Sequence, residues 1–252
     1  FIGKHYTADQ VGYYYQGNKW GETAGQTITA ILQGTTLSTL TPIQDDLPRF
    51  LNASRKTLSS LAFALIPISF LAIAVAKPGF VFFLTDTWVS SIILFQILCF
   101  ASIFTSLTDL NANFLNIKGR SKFFLSLEII KVSLAIIALF LTYKHGLVMI
   151  ALGLVAVRII CYIIAASMSG RVYGYNLFMQ VKDLLPTTLI SIIAAGLAYL
   201  PLYFNLIPNY LLLIIVQSLI FVVIYVGANH MIKNDIWMEI LGMIKKKLAK
   251  KS

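Results

Sequence analysis

Apolar residues fall along this chain in blocks of about the length a helix needs to cross a hydrocarbon core, roughly 20 residues for ~30 Å. Seven such blocks follow one another, at about Gly12 to Thr41, Thr57 to Ala76, Ser90 to Leu115, Phe123 to Leu141, Leu147 to Ala166, Leu184 to Leu200 and Asn209 to Ala228. Six are strongly apolar. The first, YYYQGNKWGETAGQTITAILQGTT, carries many polar groups that lipid cannot satisfy, so the pattern predicts that it faces protein or water. Breaks are predicted where proline and glycine punctuate the blocks: KPG at Lys77 to Gly79, IKGRS at Ile117 to Ser121, Pro186 at a helix start, and Pro201 and Pro208 around a short loop. Pro67 lies inside the second block and predicts a bent helix there.

The pattern therefore predicts an all-α integral membrane protein of seven transmembrane helices, and the basic residues predict its orientation. Lys and Arg accumulate in cytoplasmic loops. Alternate loops and the tail hold fourteen of the twenty, including Arg49, Arg55, Lys56, Lys118, Arg120, Lys122, Arg171 and Lys182, whereas the opposite loops hold only Lys4, Lys77 and Lys144. The C-terminus is thus expected to be cytoplasmic. The tail, NDIWMEILGMIKKKLAKK, repeats Ile236, Ile240, Ile244 and Leu248 at four-residue spacing with lysines near its end. It reads as an amphipathic helix on an anionic inner leaflet, the alternative being a disordered basic tail.

Polar positions inside the blocks are the candidate chemistry, because an ionisable side chain in a span costs a few kcal/mol. Lys19, Glu22, Gln26, Thr29 and Gln33 recur at steps of three and four, which places them on one helix face. Thr105, Asp109, Asn113 and Asn116 form a similar stripe in the third span, and Glu128, Lys131 and Arg158 lie well inside the fourth and fifth. Two bland readings stand beside function: Lys19 with Glu22, and Glu128 with Lys131, are ready-made pairs at i,i+3. Arg158 has no carboxylate nearby in sequence and has to find one on another helix, snorkel, or face a hydrated cavity. Asp109 is either functional or a near-interface carboxylate stabilised by Lys118 and Arg120.

Composition sharpens the picture. Of 252 residues, 58% are hydrophobic and 12% charged, against roughly 45–50% and 25% in soluble domains. The net charge of +10 is explained by the loop bias and does not call for nucleic acid. Cys99 and Cys161 both fall inside apolar runs and form neither a disulfide framework nor a metal motif. No GxSxG, HExxH, P-loop or GxGxxG occurs, and His5, His145 and His230 all sit near span ends. Asp45 and Asp46, beside Arg49 and Arg55, read as a charge-balanced connector. No catalytic residue, cofactor or metal is expected, and the chain is expected not to be an enzyme.

The stretches FIGKHYTADQVGYYYQGNKW, KPGFVFFLTDTW, LTDLNANFLNIKGRSKFFLSLEIIK and SGRVYGYNLFMQVKDLLP resemble the C-terminal half of the Wzx-type oligosaccharide flippases, in the multidrug/oligosaccharidyl-lipid/polysaccharide exporter superfamily. The resemblance implies a two-lobed transporter of about fourteen helices whose N-terminal half precedes this chain. In this chain it implies an external stub at 1–11, five helices of the second lobe at 12–166, a cytoplasmic connection at 167–183, two additional helices at 184–228 and the basic tail at 229–252. It also implies movement of undecaprenyl-diphosphate-linked O-antigen or capsule repeats across the bacterial inner membrane by alternating access, with H+ or Na+ as a possible coupling ion. Lys19, Gln26, Lys131 and Arg158 are then the expected substrate-binding residues, since charge-assisted bonds to phosphate are strong. Glu22 and Asp109 are the expected ion-coupling residues. The expected partners are the lipid-linked oligosaccharide, membrane lipids and the N-terminal half, and not nucleic acid. A cation-coupled multidrug antiporter and a membrane-embedded polysaccharide polymerase or ligase are the alternatives.

Overall fold

The computed structural model describes the backbone of residues 2–249, and their side chains apart from those at 2, 4, 24, 25, 28, 29, 31–35, 37, 38, 244, 245 and 247–249. The described residues are helical with no strand: α1 (Ile2–His5), α2 (Ala8–Leu40), α3 (Leu47–Ala74), α4 (Ala76–Leu84), α5 (Val89–Ile117), α6 (Ser121–Thr142), α7 (Leu147–Tyr173), α8 (Leu177–Tyr203), α9 (Tyr210–Met231) and α10 (Asp235–Ala249). Six helices, α3 and α5 to α9, are long and apolar enough to cross a membrane. The first expected span, Gly12 to Thr41, corresponds to α2. With 33 residues it is about 50 Å long at ~1.5 Å per residue, but its composition is too polar for it to be counted with the other six.

α5 is the centre of the bundle and packs against α2, α3, α4, α6 and α7, while α8 and α9 pack on each other and on α3. The main core lies where α3, α5 and α7 meet, around Phe50, Leu58, Leu61, Leu107, Phe114 and Tyr173. A second core, Phe63, Ala194, Ala198, Phe221 and Tyr225, joins α3 to α8 and α9. The outer faces remain apolar: Ile129, Phe140 and Leu141 on α6, Ile193 on α8, and Leu219 and Val223 on α9 are each more than half exposed. Such a surface is tolerable only where lipid covers it.

The close approach of α2 to α5 has a visible cause in the sequence GNKWG. A Cβ on Gly17 would lie 2.9 Å from the Leu94 Cβ and 3.0 Å from the Phe95 nitrogen, and one on Gly21 would lie 3.0 Å from the Cys99 nitrogen. Two glycines four residues apart thus let the backbones touch, the small-xxx-small arrangement that drives helix association in lipid.

The two ends of the bundle differ as the loop charges predict. At one end Lys118 donates to the Gln44 carbonyl, Arg55 makes two 2.6 Å bonds to Asp183, and Lys56 bonds Glu239 at 2.6 Å. The opposite end is aromatic, with Tyr6 donating to the Tyr143 carbonyl and Tyr13 edge-on to Trp88 at 5.9 Å. Short polar side chains start the helices at the basic end: Asp46 accepts from the Arg49 N–H and Asn176 from the Met179 N–H, as N-caps do. Asp46 of the acidic doublet is therefore a cap. Tyr175 donates to Asp183 at 3.0 Å; burial and the facing carboxylate both push its phenol above its ordinary range, so it stays a donor.

Several boundaries differ from the sequence reading. The connection expected at 167–183 is helical except around 174–176, because Gly174 takes a left-handed C-cap conformation at φ 90° and Asn176 caps the next helix at once. Gly170 permits that tight turn, since a Cβ there would lie 2.7 Å from the Asn176 Cβ. The stub at 1–11 likewise contains α1 and the start of α2. Pro186 sits inside α8 and Pro201 in its last turn, so α8 begins before the expected start at Leu184. The KPG motif opens α4, with the break one step earlier at Val75. In the tail, Ile236, Trp237 and Ile240 pack against the second core, so this part of α10's apolar face meets protein; Ile244 and Leu248 lie outside the described side chains.

Replacing Gly17 or Gly21 with leucine is expected to destabilise the protein by about 1–3 kcal/mol, the usual cost of overpacking, with alanine less harmful. Thermal unfolding of the detergent-purified protein checks this; an unchanged midpoint in both leucine variants would show that α2 is not held by backbone contact.

Candidate functional site

The spacing of polar residues on α5 builds the site. Ser102, Thr105, Ser106 and Asp109 lie at steps of three, one and three, so they share the helix face turned toward α2 and α7. Glu22 and Gln26, one turn apart on α2, come from the opposite side, and Arg158 comes from near the middle of α7. Together they line a cavity of about 200 Å³. Thr105, Asp109 and Arg158 also line a second cavity of about 220 Å³, whose far wall carries Lys131. Two hollows therefore meet at Asp109 and Arg158.

The Arg158 guanidinium donates through Nη2 to the Glu22 carboxylate, and the two side chains are only 17% and 23% exposed. This answers the question of Arg158's partner: it faces a cavity and is matched by an acid from another helix, 136 positions away in sequence. Its other terminal nitrogen, Nη1, is buried with no hydrogen-bond partner among the described residues. Gln26 steadies the far oxygen of Glu22 at 3.2 Å. Glu128 and Lys131 form the intrahelical pair expected of them, at 2.7 Å. Asp109 makes no hydrogen bond and no ion pair among the described residues, though Lys131, Glu128 and Arg158 all lie within electrostatic reach.

Lys19 is placed differently. It is exposed on α2, rests 5.6 Å from the Trp20 ring, and lines neither cavity; the expected Lys19–Glu22 pair does not form, because Glu22 bonds Arg158 instead. Thr29 and Gln33 of the same stripe lie outside the described side chains. Asn113 and Asn116 continue along α5 without reaching either cavity. The Asp109 carboxylate reaches neither Lys118 nor Arg120, which sit at the helix end.

Sequence reading missed a second polar assembly. Asn111 and Gln180 exchange hydrogen bonds of 2.8 and 3.1 Å between α5 and α8, and Ser169 of α7 donates to the same Asn111 oxygen at 2.8 Å. All three are fully buried. An asparagine one turn from a glycine-free apolar run carries no spacing signal, so only the tertiary contact reveals the clamp. A larger hollow of about 750 Å³ opens at the basic end beside Arg55, Lys56, Lys182 and Lys233.

Residues 1–93 match the family described as "Polysaccharide biosynthesis protein". The first third of the chain is thus similar to proteins of polysaccharide biosynthesis. That stretch covers α1 to α4 and brings Glu22 into the similarity, whereas Asp109, Lys131 and Arg158 lie beyond it. No curated protein and no solved structure matches the chain. The match supports a role in polysaccharide biosynthesis or export.

Gln180→Leu is expected to remove both bonds between the two amides, leaving Asn111 with the Leu107 carbonyl and the Ser169 hydroxyl, and to cost about 1–3 kcal/mol. The check is the thermal midpoint of the purified protein, with the double Asn111→Leu/Gln180→Leu recovering part of the loss; no loss in the single variant would show that the clamp is not stabilising.

Proposed function

We propose that this chain is the C-terminal part of a transporter that moves undecaprenyl-diphosphate-linked oligosaccharide repeats across the bacterial inner membrane by alternating access. It acts in polysaccharide export and is not an enzyme. The observation that carries this reading is the cluster of ionisable side chains in which Glu22, Asp109, Lys131 and Arg158 line two hollows inside the helical bundle and Glu128 pairs with Lys131. Charge at that depth is expensive unless a polar path uses it. The similarity of residues 1–93 to polysaccharide biosynthesis proteins supports a role in that process.

In this reading Arg158 and Lys131 offer charge-assisted donors to a diphosphate. Gln26 and Lys19, both exposed on α2, extend the wet face toward the N-terminal half of the protein. Glu22 and Asp109 are the carboxylates that can take up H+ or Na+ as coupling ion. The basic end is cytoplasmic under the positive-inside rule, with the lysines of α10 close to anionic lipid.

A second reading has one observation in its favour. The cluster contains three carboxylates and two cations, and Lys19 lies outside it, which suits a cationic cargo and hence a multidrug antiporter of the same superfamily. The polysaccharide similarity weighs against that reading. Nothing comparable favours a polymerase or ligase, whose catalytic groups would sit in the loops outside the spans.

A strain lacking the intact gene is expected to accumulate lipid-linked repeats on the cytoplasmic side, restored by the wild type but not by Lys19→Ala or Arg158→Lys variants expressed at wild-type levels. Surface polysaccharide and the sidedness of labelled repeats are the readouts; repeats appearing outside at the normal rate in the deletion strain overturn the proposal.

A further inference from the structure

Arg158 holds one carboxylate and faces a second. Its Nη2 is bonded to Glu22 of α2 while its Nη1 is buried without a partner among the described residues. Asp109 of α5 lines both cavities that Arg158 lines, and it has neither hydrogen bond nor ion pair among the described residues. Lys131, the other cation in reach of Asp109, is bonded to Glu128 on its own helix. The charged groups that share a cavity with Arg158 are thus Glu22 from α2, Asp109 from α5 and Lys131 from α6, with Tyr14 of α2 also in its electrostatic reach; Glu128 of α6 is held by Lys131.

We propose that Arg158 is a shared counter-ion that changes partner between Glu22 and Asp109, so that one proton or monovalent cation on the released carboxylate is tied to which helix α7 is bound to. The proposal deepens the transporter reading and rests on it for its consequence in transport. The charge count requires some such occupant. Glu22 pairs with Arg158 and Glu128 with Lys131, which leaves the Asp109 charge uncompensated in a medium where isolated charge is costly. With Arg158 on Glu22 the excess sits at Asp109. When a proton enters Glu22, the guanidinium keeps its own charge, leaves the neutral carboxyl and pairs with Asp109. The number of buried ion pairs is the same before and after, so the two arrangements differ little in energy, which is what a bistable element needs.

The exchange has a mechanical meaning. α5 and α7 pack along each other, and Asp109 and Arg158 both belong to that unit. Glu22 belongs to α2, which meets α5 through the close backbone contact of Gly17 and Gly21. Arg158 on Glu22 therefore bolts α2 to α7. Arg158 on Asp109 removes that tie and leaves α2 held by its packing on α5 and α3. In this arrangement Arg158 is a positioning residue as much as a ligand for cargo.

A double-variant comparison on the purified full-length protein tests the exchange. Glu22→Gln, Asp109→Asn and the double variant are compared by thermal unfolding near neutral pH. A shared counter-ion predicts a modest fall in midpoint for Glu22→Gln, because Arg158 finds Asp109. The double variant is then expected to fall by several degrees more than the two single falls combined, since Arg158 loses both partners. A fixed pair predicts that Glu22→Gln is as damaging as the double variant and that Asp109→Asn adds nothing, and that result overturns the proposal. Should a variant fail to fold, amide hydrogen exchange on the wild type decides. Acidification is expected to raise exchange in α2 around residues 17–26 while α5 around 105–113 stays protected, and equal response in both helices overturns it. Failure of the transporter reading shows separately, as normal export in the deletion strain with the thermal coupling intact.

Discussion

A guanidinium placed between apolar helices costs several kcal/mol unless a carboxylate meets it, and the partner has to come at the correct height and angle. The Arg158–Glu22 pair meets that requirement across the width of α5, and much of the bundle follows from it. A rotation of α2 by one residue, about 100° in a helix of 3.6 residues per turn, would carry Glu22 away from α7. The pair therefore fixes the rotation of α2, and the glycines at 17 and 21 fix its distance. The two constraints act on different neighbours: the glycines seat α2 against Leu94, Phe95 and Cys99 of α5, whereas the ion pair ties it to α7 and would be out of reach if α2 stood a side chain farther off.

The ends of the bundle show the same logic with water nearby. Arg55 and Asp183 tie α3 to α8, Tyr175 closes on the same carboxylate, and Lys56 with Glu239 brings α10 against α3. Arg55 and Lys56 are 44% and 59% exposed, so these bonds choose neighbours more than they add stability. The buried Asn111–Gln180–Ser169 assembly supplies the cohesion one layer deeper, where an amide left without partners would be expensive. Polar contacts thus become fewer, but more exacting, from the end of the bundle toward its middle.

The six apolar spans were legible because their signal is local: a run of about 20 apolar residues has few other uses. So was the Glu128–Lys131 pair, whose partners are one turn apart. Legibility ended where the partner was distant. At Lys19 and Glu22 the same one-turn rule pointed to a pair, yet the better-desolvated guanidinium of Arg158 takes Glu22 and Lys19 turns to the Trp20 ring. Asn111 and Gln180 stand in no periodic pattern, so their contact exists only in the folded chain. The helix ends within the connection expected at 167–183 were hidden for a related reason: SGRVYGYN is polar enough to look like a loop, but Gly170, Gly174 and Asn176 compress the turn to a few residues and let both helices run on. The composition of α2 gave a correct warning without an answer. It showed that this helix needs polar company, and only the cavities beside Asp109 and Arg158 show where that company lies.

The charge arrangement also constrains how any anionic cargo could be held. Both cations of the cluster already have carboxylates, Arg158 in Glu22 and Lys131 in Glu128, so an arriving phosphate would replace an existing partner instead of filling a vacant site. Each bond gained would be offset by one lost, apart from those made to the unpartnered Nη1. Net affinity then stays modest even though the individual charge-assisted bonds are strong. A receptor would be poorly served by such a site. A carrier is well served, because a cargo held by exchange can be let go when the displaced carboxylate returns, and the carboxylate needs no more than the loss of its proton to do so.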